Sequence, residues 1–433
     1  MTKLLDYYKG QHDILFRVLS DPTKPNNKVV ANYCGLIADF YNSYLLGVPI
    51  KYSSQNEPML EEIHAIFNYN DEAGHNITVG ENMNIFGYGV EILYIDDDKQ
   101  IRFTNIDPRE TIFIYAKDIE GELETCIRYF ALTEEEYTVE VYDYSYISTY
   151  TMNKSFTELT QTSKEPHSFG LVPLVQYANN QVLQGSFEGV MDLQDALNKL
   201  LSDELNDYEQ FVDAYLVLTG LQDTTKQELA KMREDRAILI DGEAKAEWLI
   251  KNVNNDHIRE LKEDITSRIY NISKTPKTEE FATLGSGVAI KYKMLATETQ
   301  AKKQERYFKK GLQRRIELIT NILKLRNPAL NDYKDINMTF HRNFIIDNND
   351  ERKAAIEEMA MNIISKIEYR MRFHNETFDE AKKALERVRE YNIKISDEEA
   401  EKAYDRKFNR IDEVEVERKL NEMFGRTGSF FDD

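Results

Sequence analysis

From Ser286 to Leu325 the chain has no proline and, after the opening Gly287, a single glycine, Gly311. This stretch restricts the fold more than any other, because a helix of that length spans roughly 60 Å if straight. Phe308, Leu312, Ile316, Ile319 and Leu323 recur at three and four residues, so one face of the later half must be buried. Its charge inverts the rest of the protein. Lys291, Lys293, Lys302, Lys303, Arg306, Lys309, Lys310, Arg314, Arg315, Lys324 and Arg326 face only Glu298, Glu305 and Glu317, whereas the whole chain carries 55 Lys+Arg against 76 Asp+Glu, a net charge of −21. Such a helix suits nucleic-acid phosphates or acidic protein faces. The acidity of the whole favours the second, because a protein that grips phosphates presents a net basic surface.

With 433 residues, 41% hydrophobic and 11% aromatic, the chain is long and apolar enough for two or three packed domains. No apolar run approaches the roughly 20 residues needed to cross a bilayer. The opening MTKLLDYYKGQHD has charges where a signal peptide has its apolar core, so synthesis in the cytoplasm and no membrane association are expected. Val29 to Leu46 has a helical apolar pattern ended by Gly47-Val-Pro49, and two short helices are expected between Asn56 and Asn84. From Gly87 the period becomes two. Val90 to Ile95 and Ile101 to Ile106 flank Asp96-Asp-Asp-Lys-Gln100 as a hairpin, with further strand-like runs to about Met152. One amphipathic helix is predicted from Phe187 to Leu218, apolar on one side and acidic on the other, through Asp192, Asp195, Asp203, Glu204, Asp207 and others. A small mixed insert from Gly220 to Ile250 follows, then a helix starting at Asp256 as its N-cap, with Ile258, Leu261, Ile265, Ile269 and Ile272 on one stripe. Ser273 to Gly285 has Pro276 and no stripe, and reads as a loop with a function. One strand near Ile336 and, from Asp350, charged helices broken near Asn375 and Asn392 complete a mainly helical α+β chain.

Catalytic and metal-binding patterns are not evident. Gly87-Tyr-Gly89 and Gly285-Ser-Gly287 lack the phosphate-loop spacing, the seven histidines form no HExxH pair, and no nucleophile elbow is present. Cys34 and Cys126 stand alone, which fits buried thiols better than a disulfide or zinc. Asp96-Asp97-Asp98 could hold a hard cation, but a solvated hairpin turn explains it better. The expectation is a protein with no cofactor and no enzymatic activity.

Several strings, in order, resemble the portal proteins of tailed bacteriophages, in particular the long non-contractile-tailed phages of Gram-positive bacteria. They are Lys24-Pro-Asn-Asn-Lys28, Tyr44-Leu-Leu-Gly-Val-Pro49, Phe86-Gly-Tyr-Gly-Val-Glu-Ile-Leu-Tyr94, Ile106-Asp-Pro-Arg109, Ser202-Asp203 through Phe211 to Leu216, and Gly285 to Leu295 running into Glu305 to Gly311. The similarity spans Leu5 to Ile345. From Asp350 on, the chain shares only the helical, charged character of that family's crown.

The resemblance implies a portal fold of wing, stem, clip and crown, and a ring of twelve subunits at one capsid vertex, assembled in the host cytoplasm. Double-stranded DNA would pass through its channel, the terminase large subunit would dock for packaging, and a head-tail connector (adaptor) would replace it. Major capsid and scaffold proteins are its other implied partners. Residues 1–185 with strand 334–346 would be the wing, 186–218 and 256–272 stem helices, 219–255 the clip, 273–285 the tunnel loop, 286–327 the long helix and 347–433 the crown. Lys274, Thr275, Lys277, Thr278, Glu279, Glu280 and Thr283 would then lie on the tunnel loop near DNA. Lys302, Arg306, Lys310, Arg314 and Arg315 would meet Asp203 and Asp207 of a neighbouring subunit, and Arg236, Asp241, Glu243 and Lys245 would dock the motor and connector. The rival readings are another helical virion or scaffold component, and an enzyme whose site carries no familiar motif.

Overall fold

The computed structural model describes residues 1–212, 215–219, 245–249, 255–281, 287–343 and 349–394, except positions 23, 120, 132, 134, 135, 154, 156, 331, 332 and 375, together with 399, 402, 415, 418, 419 and 422. These fall into two compact units, Met1–Ile346 and Asp347–Asp433.

In the first unit, a short helix α1 (Thr2–Tyr8) leads to an extended segment and then to α2 (Tyr33–Leu46), whose Asn32 side chain caps the Gly35 amide. The helix expected from Val29 begins only at Tyr33, because the preceding backbone amides are bound by another helix, as described below. Helices α3 (Glu57–Tyr69) and α4 (Glu72–Phe86) follow, α3 with Pro58 in its first turn and α4 stopped by Gly87 at φ +86°, a left-handed conformation open to glycine. The predicted hairpin is present as β2 (Tyr88–Ile95) and β3 (Ile101–Ile106), in register from Val90 opposite Ile106 to Ile95 opposite Ile101. Strand β9 (Leu174–Ala178) pairs with the other edge of β2. Between them the chain builds a second sheet of five antiparallel strands, β4 (Thr111–Tyr115), β5 (Leu123–Ala131), β6 (Glu136–Tyr142), β7 (Tyr146–Asn153) and β8 (Leu159–Pro166). β1 (Lys51–Ser53) pairs with β12 (Asn337–Thr339), the strand expected near Ile336.

Helix α5 (Met191–Val212) is shorter than predicted. Its expected last turns are instead strand β10 (Tyr215–Thr219), antiparallel to β11 (Lys245–Leu249). Tyr-Leu-Val-Leu-Thr is aromatic and β-branched, and a partner strand gives its backbone a ladder that outweighs continuation of the helix. Helix α6 (Asn255–Ser273) carries the predicted isoleucine stripe, with Asp256 inside the first turn rather than capping it. A four-residue helix α7 (Thr278–Phe281) precedes the long helix α8 (Gly287–Arg326) of 40 residues. The later half of α8 forms the centre of the main core, where Phe308, Leu312, Ile316, Ile319 and Leu323 meet Leu45, Met83, Phe103 and Tyr177. At roughly 1.5–3 kcal/mol per fully buried side chain, this stripe supplies much of the force that seats the helix. A second core joins α1 and α2 to α5 and α6 through Tyr7, Ile37, Tyr41, Phe187, Leu197 and Ile269. A third, with Val90, Cys126, Tyr142 and Leu174, lies between the sheets.

The second unit contains α9 (Asn349–Ala360), α10 (Lys366–His374) and a helix over residues 378–394. Reciprocal capping opens the last two. Ser365 and Glu368 exchange side-chain to backbone bonds of 2.6 and 3.1 Å, and Thr377 and Glu380 do so at 2.8 and 3.3 Å. The break near Asn375 is present, but helix continues through Asn392 to 394. Among the described residues no helix is long and apolar enough to cross a membrane.

Candidate functional site at the helix junction and the long helix

The turn from α6 into the segment at 274–281 is held from several sides. Lys274 takes a left-handed φ of 57°, which costs a lysine more than it would a glycine. The surrounding bonds hold it there. Thr275 N donates to Tyr270 O at 3.1 Å, the Tyr41 hydroxyl donates to the carbonyls of Ser273 and Lys274 at 2.8 and 3.1 Å, and Thr297 Oγ1 of α8 donates to Lys274 O at 2.6 Å. Lys274 Nζ reaches Gln300 at 3.2 Å and Lys277 Nζ reaches Ser267 at 2.8 Å. The side chain of Thr275, 5% exposed, accepts from Ser273 Oγ. The base of the segment is therefore bolted to α2, α6 and α8 through its backbone and Thr275, while the side chains of Lys274, Thr278 and Glu279 are exposed.

On α8 the cations divide. Lys302, Arg306 and Lys310 are exposed, and the helix's acids are engaged within the chain. Glu298 and Glu305 bind Arg342 at 3.1 and 2.6 Å, and Glu317 binds Arg314 at 3.1 Å. Arg315 points the opposite way, into the core at 0% exposure. Its Nε donates to both oxygens of Glu91 at 3.0 and 2.9 Å, Nη1 to Glu72 at 3.3 Å and Nη2 to Asn76 at 2.9 Å. His75 Nε2 lies 2.6 Å from Glu91, and the Tyr177 hydroxyl donates to it at 3.2 Å. Burial by itself would raise the Glu91 carboxyl, but the charge of Arg315, with His75 beside it, outweighs that and holds it down at about 2. The Phe103 ring stacks 4.6 Å from the guanidinium. The expected interface role of Arg315 is thus corrected: it sits at i+3 from Leu312 and i−4 from Ile319, inside the apolar stripe, where a fully paired guanidinium ties α8 to β2 and α4.

A second array was not anticipated. Along α5, Gln194, Asn198, Ser202 and Asn206 recur every four residues, and their side-chain oxygens accept the backbone amides of Tyr33, Ala31, Val29 and Asn27 at 3.0, 3.0, 2.9 and 2.8 Å. The extended segment 27–33 is thereby held against the helix as a sheet edge would hold it. The pattern was present in the sequence as a polar stripe between the apolar and acidic faces of α5. Asp203 pairs with Arg17 of its own chain at 2.6 Å, and Asp207 is half-buried.

This order of elements, with strands and helices joined through α5 and α6 to an anchored turn and then a 40-residue helix, accompanies a family match. Residues 1–394 match the family described as "Phage portal protein, SPP1 Gp6-like". The chain belongs to that portal family. Its similarity extends to the portal protein of Bacillus phage SPP1, 22% identical over 382 residues, covering 82% of this chain and 74% of that protein. The portal protein of Clostridium phage phiCD119 is 23% identical over 435 residues, covering 90% of this chain and 93% of that protein. Portal proteins of this family are structural components of the phage capsid.

Set on this portal chain, the residues marked from the sequence separate into groups. Lys274 and Lys277 hold the base of the 273–285 segment, and Thr275 is buried within it, so that residue cannot line a channel as expected. Thr278 and Glu279 are exposed, Glu280 lies within α7 with its side chain outside the described residues, and Thr283 lies outside them. Arg236, Asp241 and Glu243 lie outside them too, and Lys245 opens β11 opposite Thr219.

Proposed function

We propose that the chain is one subunit of a closed ring at a single capsid vertex, through which double-stranded DNA is packaged and later ejected. Membership in the portal family over residues 1–394 carries this reading. In it, residues 1–185 with β12 are the wing, α5 and α6 the stem, 219–255 the clip, 273–285 the tunnel loop, α8 the helix behind that loop and 347–433 the crown. Two features support the division. The 274–277 base is anchored to three helices while Thr278 and Glu279 are exposed, as a loop that projects from a rigid frame requires. The net charge of −21 suits a conduit, because duplex DNA carries about one negative charge per 1.7 Å and a basic lining would hold its phosphates through counterion release. The chain hydrolyses nothing in this reading. The terminase large subunit docks on the clip and supplies the work, a head-tail connector replaces it, and assembly takes place in the host cytoplasm with major capsid and scaffold proteins.

Negative-stain images of the purified protein test this. Closed rings with a central hole, of several hundred kilodaltons by native mass spectrometry, are the expected result. Filaments or open aggregates would point to a scaffold role, and ATP turnover by the purified chain alone to an enzyme.

A further inference from the structure

A cleft of about 760 Å³ opens between α8, the β4–β5 hairpin, β9 and the segment 333–338. Leu174, Ile316 and Met338 give it an apolar floor, its α8 wall carries Lys310, Arg314 and Glu317, and Glu122 lines it from the β4–β5 hairpin.

Arg314 is incompletely used there. Nη1 donates to Glu317 Oε2 at 3.1 Å, and the other oxygen of that carboxylate accepts from the Tyr333 hydroxyl at 2.8 Å. Nη2 is buried and has no hydrogen-bond partner among the described residues. A guanidinium presents its donors as a planar fork suited to the paired oxygens of an oxyanion, and a buried donor left without an acceptor is unfavourable. Glu317 is engaged on both oxygens by Arg314 Nη1 and Tyr333, and a carboxylate entering the cleft would give Nη2 the acceptor it lacks among the described residues.

The cleft also ends a row. Lys302, Arg306 and Lys310 precede Arg314 at four-residue steps, which stack along one side of a helix for about 18 Å, and these three are exposed. A small free anion would need the cleft but not the row. An extended acidic protein surface fits both, and with 76 Asp+Glu against 55 Lys+Arg a second copy of this chain offers one.

We propose that the cleft receives a carboxylate side chain from a second copy of the chain, bound by Arg314 Nη2 and Lys310, while neighbouring acids of that copy lie along Arg306 and Lys302. This rests on the ring reading and specifies where one subunit grips the next.

Sedimentation of the full-length chain over a range of concentrations tests it, with wild type, Arg314→Gln, Arg314→Lys and Lys310→Gln compared. Arg314→Gln is expected to raise the concentration for half-assembly roughly tenfold or more, and Lys310→Gln, at an exposed position, to do so to a lesser degree. Arg314→Lys keeps the charge without the fork and should restore assembly only in part. Inorganic phosphate at fixed ionic strength should weaken wild-type assembly and leave Arg314→Gln unchanged. Wild-type assembly by both glutamine variants overturns the cleft assignment and leaves the ring reading standing. A wild-type chain that remains monomeric throughout overturns both. Short duplex DNA that binds the wild type and not Arg314→Gln, with assembly equal in the two, assigns the cleft to phosphate and overturns the proposal.

Discussion

The Glu91 carboxylate and the Arg315 guanidinium, both fully buried, form the most demanding contact in the protein. Two charges taken out of water gain stability only if every partner is in place, and removing one partner costs on the order of 3–5 kcal/mol. Arg315→Met should therefore lower the urea midpoint sharply. If it left stability unchanged, the pairing described here would contribute nothing. The pH dependence follows from the carboxyl held at about 2 against an ordinary value near 4.3 in the unfolded chain. A depressed carboxyl contributes stability that is complete above the unfolded value and is lost as pH falls toward the folded one. Stability should thus decline from about pH 4.5 down to about 2, and Glu91→Gln should flatten that part of the curve while lowering the plateau, because Arg315 then keeps its charge without its main counter-charge. Urea titrations across that range read both. Counting charges along the sequence put Arg315 on the surface with its neighbours. Its position between Leu312 and Ile319 held the contrary information, but nothing local shows that Glu91, more than 200 residues earlier, faces the same core.

Elements whose periodicity and stop signals agree, such as the β2–β3 hairpin and α8, were legible within a residue or two. Those settled by a distant partner were not. The tail of α5 reads equally as helix or strand until β11 provides a ladder, and Val29 to Asn32 read as helix until their amides are claimed by α5. Segment 273–285 was legible as a break, but not the bonds that bury Thr275 at its base. The polar stripe on α5 should behave as a unit. Asn198→Ala leaves the Ala31 amide and His12 Nδ1 without their partner and should cost about 1–3 kcal/mol. Ser202→Ala should act similarly at Val29, and hydrogen exchange at those two amides should accelerate before global unfolding. Gly311 makes a different demand, since any Cβ there would overlap the Tyr177 ring beneath α8. Gly311→Ala should destabilise by about 1–3 kcal/mol despite its higher helix propensity, an outcome calorimetry can check.

At the scale of the whole molecule, the boundary near Ile346 predicts that a chain ended there melts with the same main transition as the full protein, readable by calorimetry. On the ring reading, deletion of 278–283 should spare ring formation and impair DNA packaging or retention, whereas a deletion that extends back through Thr275 should also lower thermal stability, because the anchored base would go with it. The helix stripe that binds segment 27–33 has a further consequence, in time. Its acceptors lie 161 to 179 residues downstream of the amides they bind. At synthesis rates of about 5–20 residues per second, this extended segment waits on the order of ten to thirty seconds for the helix that will hold it. The segment is thus made well before the helix that fastens it.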